Sequence, residues 1–204
     1  MARSDPARRR LLAGLGATAL LPALAACRDE GWHGVDVSGT LPDLAFRMTR
    51  ATDRREVTEA DYRGQVVALY FGYTFCPDIC PMTLANLAQV ADRLGDRAED
   101  FSILFVTVDP ARDTPEVLTN YVSAFTPRAE ALRGGANRLQ SLTRRYRVTY
   151  KVRPDAPGGY TVSHGPSVYL FDRSGEARVM LTRFDTAGAD IAGATADIRR
   201  IMSA

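Results

Sequence analysis

Nearly continuous apolar runs alternate along the chain with segments of helical period. Residues 65–71 read Gln-Val-Val-Ala-Leu-Tyr-Phe, the pattern of a strand covered on both faces. Over 82–94, Leu84, Leu87, Ala88, Ala91 and Leu94 recur at helical spacing and Gly95 closes the segment, which predicts a helix. The unit repeats with a buried strand over 101–108. Thr114-Pro115-Glu116 then sets a cap hydroxyl, a proline and an acid where a helix begins, and that helix is predicted to run to about Phe125. A further helix is predicted over 136–146 and a strand over 167–171. Asp172-Arg173-Ser174-Gly175 turns that strand into a hairpin with 177–182. Residues 190–201 close the chain as a helix with Ile191, Ala194, Ile198 and Ile201 inward. Upstream, residues 46–48 and the region of Val57 suggest a small hairpin around the polar stretch 49–56, and residues 61–64 read as a turn.

This order describes an α/β, thioredoxin-like fold: a central mixed sheet flanked by helices, with an N-terminal hairpin. The 204 residues are 46% hydrophobic and 25% charged, which suits one well-buried domain. No repeat or low-complexity tract divides residues 41–204.

Charge adds a boundary. The formal net charge is +2, yet Arg3, Arg8, Arg9 and Arg10 against Asp5 make residues 1–26 net +3 and leave the rest at −1. That remainder argues against a nucleic-acid partner held by bulk charge. The basic residues are 25 Arg and one Lys, a bias of composition rather than of surface. Arg8-Arg9-Arg10 followed by an apolar run from Leu11 to Ala26 reads as a signal peptide over 1–26, too short to span a membrane comfortably. Leu24-Ala25-Ala26-Cys27 resembles a bacterial lipobox, with Cys27 lipidated. Arg8-Arg9-Arg10-Leu11-Leu12 resembles a twin-arginine export signal, although Ala7 stands where Ser or Thr is usual, so either export route remains open. Residues 27–40 are then the expected lipid anchor and tether, reaching at most about 45 Å. In that tether Trp32 is a candidate for the lipid interface and His33 reads as a solvated linker residue. The expected location is the outer-facing, periplasmic side of a bacterial cell membrane, with the domain held there through its N-terminal lipid.

Beyond Cys27, Cys76 and Cys80 remain, four residues apart. In an oxidising compartment such a pair is a disulfide, a redox dithiol or a soft-metal site. A staple closing so short a loop constrains little, which favours chemistry. The pair follows a buried strand and precedes a helix, whose N-terminus favours thiolate. Four residues make about one turn, so both sulfurs can share a face. Pro81 sets the start of the regular helix near Cys80, leaving Cys76 on a loop. Asp78 reads as a capping residue, Tyr73 and Phe75 as packing around the site, and Met82 as a core residue. Asp109 is either a carboxylate beside the site or a turn or cap residue. His164, before Gly-Pro and a strand, reads from the sequence alone as a loop residue.

The segments FGYTFCPDICP at 71–81, VDPARDTPEVL at 108–118 and YTVSHGPSVYLFD at 160–172 resemble the Sco/SenC family in content and order. The resemblance implies a membrane-tethered, thioredoxin-like copper protein linked to cytochrome c oxidase assembly. It implies Cys76 and Cys80 as thiolate ligands and His164 as an imidazole ligand. The donor set agrees: thiolates select soft Cu(I), and imidazole also suits Cu(II). The family often carries Asp before the ligand His, where this chain has Ser163, which removes a carboxylate there. Gly165-Pro166 resembles the cis-proline loop that faces the dithiol in thioredoxins.

Two functions follow from these residues. One is a metallochaperone that takes copper from a donor protein and delivers it to the binuclear copper site of the oxidase subunit. The other is an enzyme, a thiol–disulfide oxidoreductase in which Cys76 and Cys80 reduce the cysteines of that subunit and are themselves renewed by a thiol reductant. Copper binding needs His164; dithiol exchange does not.

Overall fold

The computed structural model describes residues 31–154 and 160–204. The signal peptide over 1–26 and the lipid site Cys27 lie outside the described residues. Four strands anticipated by the apolar runs form the centre of one eight-stranded sheet: β4 (Val66–Gly72), β5 (Phe101–Thr107), β9 (Val168–Phe171) and β10 (Ala177–Leu181). β4 runs parallel to β5 and antiparallel to β9. Every residue of β4 and β5 is buried, which explains their unbroken apolar character. The N-terminal hairpin also forms. It comprises β2 (Arg47–Arg50) and β3 (Glu56–Thr58), and it closes the far edge of the sheet.

The helices are α1 (Ile79–Leu94), α2 (Pro115–Ser123), α3 (Ala136–Arg145) and α4 (Ile191–Ile201). Local chemistry sets two of their starts. The Thr114 hydroxyl accepts the Val117 N–H at 3.3 Å with Pro115 in the first position, and the Asp190 carboxylate accepts the Gly193 N–H at 2.8 Å. α1 packs along α4, and Tyr70, Phe71, Phe105 and Phe171 sit fully buried between the layers.

Several elements depart from the pattern-based expectation. β6 (Ala129–Arg133) lies parallel to β5 and joins the N-terminal hairpin to the sheet. Its five residues, Ala-Glu-Ala-Leu-Arg, include two charged side chains and only one large apolar one, too weak a period to read. β7 (Tyr150–Pro154) and β8 (Tyr160–His164) pair with each other as a separate two-stranded sheet. β7 is polar and largely exposed, so hydrophobicity does not mark it.

The expected tether over 27–40 also changes. From Trp32 onward the chain belongs to the compact unit. β1 (Val35–Asp36) pairs antiparallel with β10 and covers its edge. The buried Asp197 carboxylate on α4 accepts the His33 and Gly34 N–H groups at 3.0 and 2.9 Å. Trp32 lies 4.4 Å from the Arg200 guanidinium and 5.9 Å from that of Arg178, so its ring is taken up by the domain rather than by lipid. The exposed His33 imidazole stands 3.5 Å from Asp190. An open strand edge and a buried acceptor account for the docking.

Asp197→Ala removes an acceptor from two backbone donors at once. The expected loss is about 1.5–3 kcal/mol in urea-induced unfolding. A loss below about 0.5 kcal/mol, the range of surface substitutions, would show that Asp197 does not hold this segment.

Candidate metal centre

The two thiols stand where β4 feeds α1, at the carboxyl ends of the parallel strands. α1 begins at Ile79, one residue before Cys80, as the proline spacing predicts. Cys76 therefore sits on the preceding loop. Its sulfur accepts the Cys80 N–H at 3.4 Å, so it takes the capping position of the first turn. Asp78 occupies the cap residue but its side chain makes no capping bond, which corrects the reading of Asp78. Negative charge on the Cys76 sulfur is favoured by the first-turn amide and by the helix dipole.

The thiols differ in access. Cys76 is 7% exposed and Cys80 is fully buried; no disulfide joins them. The Cys80 sulfur hydrogen-bonds with Cys76, accepts the Tyr73 N–H and meets the Tyr70 hydroxyl. The hydrogen bond to Cys76, together with burial, pushes the Cys80 thiol well above the usual cysteine range. The two sulfurs thus lie within hydrogen-bond reach of each other, close enough for both to face one soft cation. Room for this comes from Gly72. A Cβ there would lie 2.5 Å from the Phe105 ring and 2.9 Å from the Cys80 sulfur.

A polar network fixes the loop. Asp113 is fully buried, and its carboxylate accepts the Thr74 N–H at 3.2 Å, the Thr74 hydroxyl at 2.6 Å and the Thr107 hydroxyl. Burial holds its carboxyl above the ordinary range, against the hydrogen bonds that lower it. Thr107 ends β5, and its hydroxyl also accepts the Asp109 N–H at 3.0 Å. Asp109, 3% exposed, accepts from Arg112 Nε at 2.5 Å and from the Tyr160 hydroxyl at 2.6 Å. Asp109 is thus a turn residue, whose carbonyl accepts the Asp113 N–H and whose carboxylate is engaged by Arg112 and Tyr160. Tyr73 is buried as expected. Phe75 is not packing: it is 59% exposed, with the Arg112 guanidinium 4.8 Å from its ring. Met82 is half-buried rather than core, on the first turn of α1.

His164 ends β8, with its Cα opposite Tyr150. The position of its imidazole lies outside the described residues. Two residues earlier, the Val162 N–H donates to the Tyr73 hydroxyl, which seats β8 against the thiol loop. No described peptide bond is cis, so the cis-proline likeness of Gly165-Pro166 is not carried through. Among the described residues, no group of three or more His, Cys, Asp and Glu could hold a metal ion. Hollows of about 560 and 390 Å³ lie elsewhere, beside Phe46, Arg138 and Arg145 and beside Thr119 and Thr126. Sequence reasoning passes over Gly72, Arg112, Asp113 and Tyr160. All four lay inside the quoted motifs, where nothing in their spacing marks a role.

Comparison with known proteins places this arrangement. The SCO1/SenC profile matches residues 41–203. The human Protein SCO1 homolog, mitochondrial, is 39% identical over 134 residues, 64% of this chain and 44% of that protein. The chain thus spans about half the length of the curated relatives that it matches. A structure of Bradyrhizobium japonicum ScoI with copper bound superposes with a TM-score of 0.70 at 33% identity, over 78% of this chain and 98% of the other. A SCO1/SenC family lipoprotein from Bacillus anthracis superposes with a TM-score of 0.64 at 25% identity, over 78% and 94%.

Gly72→Ala drives a methyl into Phe105 and the Cys80 sulfur. A loss of about 1–3 kcal/mol is expected from overpacking. Titration of reduced protein with a thiol reagent should also show Cys80 reacting faster than in the parent. Unchanged stability and unchanged reactivity would refute the assigned role of Gly72.

Proposed function

The chain belongs to the SCO1/SenC family, and on that footing we propose that it binds copper through Cys76, Cys80 and His164 and delivers it to the copper-site subunit of cytochrome c oxidase. The observation that carries this reading is the pair of free thiols four residues apart at the start of α1, with the Cys76 sulfur bound to the Cys80 N–H. Two soft donors so close suit Cu(I), and their protons leave as the ion binds. Gly72 leaves the space, and Tyr70 and Tyr73 wall it from water. His164 ends a strand that is bound to Tyr73 beside the pair, and its imidazole would extend the donor set toward Cu(II). The ion is cargo: an acceptor replaces the three ligands one after another, beginning at Cys76, the more accessible sulfur. A donor protein would load the site in the reverse sense. Ser163 is exposed beside His164 and supplies no carboxylate to this exchange.

The same asymmetry of access favours a second reading, reduction of a partner disulfide. The Cys76 thiolate attacks one partner sulfur and forms a mixed disulfide, releasing the other as thiolate. Cys80 then attacks Cys76, the partner leaves as a dithiol, and two electrons have passed to it. A thiol reductant restores the pair. The hydrogen bond that raises the Cys80 thiol delays its attack until Cys76 is occupied by the partner.

The domain would work at the outer face of a bacterial membrane, held by lipid on Cys27 after loss of residues 1–26. No helix among the described residues is long and apolar enough to cross a membrane. Mass spectrometry of the native N-terminus tests this: a chain beginning at an acylated Cys27 is expected, and an unmodified Cys27 refutes it.

Reduced protein is expected to take one copper and the disulfide form almost none, because a disulfide has no thiolate to offer; equal uptake in both refutes the thiol site. In cells, Cys76→Ser, Cys80→Ser and His164→Ala should each lower oxidase copper content and activity. Added copper should partly rescue His164→Ala, since two thiolates still hold Cu(I). Normal oxidase assembly with His164→Ala at low copper would select the reductase reading instead.

A further inference from the structure

The strand that ends in His164 is not part of the sheet that positions the thiols. Among the described residues, β7 and β8 pair only with each other, so no backbone ladder links β8 to β4 or β5. One side chain gathers the separate segments at the Tyr160 end. Arg112 Nε donates to Asp109 at 2.5 Å, and an η nitrogen donates to the Tyr160 carbonyl at 3.1 Å. The guanidinium carbon lies 3.9 Å from the Tyr160 ring centroid, 4.8 Å from that of Phe75 and 5.9 Å from that of Tyr73. The Tyr160 hydroxyl returns to Asp109 at 2.6 Å and closes the ring of contacts. Asp109 is itself immobilised, buried and bound through its N–H to Thr107 at the end of β5. The thiol loop, the loop before α2 and β8 therefore meet at a single guanidinium.

Arginine suits this place because its planar fork reaches a carboxylate and a carbonyl while its faces stack on rings. Lysine offers a point charge and cannot do both. Arg112 stacks on Tyr73 and Phe75 of the thiol loop and binds the Tyr160 carbonyl, so it ties β8 to that loop. His164 follows Tyr160 by four residues on the same strand, about 13 Å along it. A shift at the clamped end is carried along a paired strand to its other end.

We propose that Arg112 is a positioning residue for the His164 ligand, clamping the β7–β8 hairpin to the thiol loop so that imidazole and sulfurs act on one ion. The proposal rests on the reading of His164 as a copper ligand, but the clamp itself is testable without metal. In the metal-free protein, hydrogen exchange of the amides over 160–164 should rise by about tenfold or more in Arg112→Leu, the equivalent of one charge-assisted hydrogen bond lost. Exchange over 66–72 should stay as in the parent. With copper, Arg112→Leu should keep the Cu(I) stoichiometry of the parent, because both thiolates remain. It should lose the nitrogen coupling in the Cu(II) electron paramagnetic resonance spectrum, as His164→Ala does. Arg112→Lys should restore neither. Tyr160→Phe, which removes one hydroxyl, should change both readouts in the same direction and serves if Arg112→Leu does not fold. Unchanged exchange over 160–164, an equal rise over 66–72, or retained nitrogen coupling would overturn the proposal. Absence of that coupling in the parent would overturn the His164 reading and the ligand half of the proposal with it, whereas the exchange result still judges the clamp.

Discussion

Asp113 is a carboxylate with no access to water, directly after the turn that follows β5. Such a group is tolerated only when its oxygens are filled by donors. Here the donors are Thr107, at the end of β5, and both the amide and hydroxyl of Thr74, in the loop that leaves β4. The cost of burying Asp113 is offset only while those two strand ends stay together. That constraint fixes the loop two residues ahead of Cys76, and the placement of both sulfurs descends from it.

From this fixed loop the two thiols acquire different environments. Cys80 enters the first turn of α1 and is carried under Tyr70 and Phe105, into space that exists because residue 72 lacks a side chain. Cys76 stays outside the helix and accepts its first free amide. One cysteine is thus fully buried, and the other keeps slight exposure. Both proposed functions use this difference. They separate only at His164, whose strand is joined to the thiol loop by side chains instead of by a sheet. A backbone ladder holds β4, which leads into the thiol loop, whereas the strand of His164 is joined to that loop by a few polar contacts and stacked rings.

The N-terminal segment illustrates how tertiary context overrides a local reading. Residues 32–40 have no hydrophobic period, and a tether is what such a stretch describes. Yet β10 leaves an open edge and Asp197 a buried acceptor, and the segment supplies backbone donors to both. Backbone groups are the same in every residue, so the sequence carries no mark of this pairing. The β7–β8 hairpin escaped for the same reason, being polar on the faces that hydrophobic pattern would read.

What the sequence determined by itself is what local physics and burial on two faces write into residue order. β4 and β5 were legible because a strand covered on both sides must be apolar throughout. The start of α2 was legible from its capping residues and that of α1 from Pro81, because such signals act within one turn, and α4 was legible from its apolar period. The cysteine pair was legible because its spacing and its place between strand and helix are properties of the chain alone. Tertiary structure decided which of the two sulfurs is reachable, since that depends on Gly72 facing Phe105 from another strand. It also decided that Asp113, Asp109, Arg112 and Tyr160 form one connected network, although Tyr160 lies 51 residues from Asp109. A buried charge finds its donors wherever the packed chain brings them, and residue order alone does not encode that meeting.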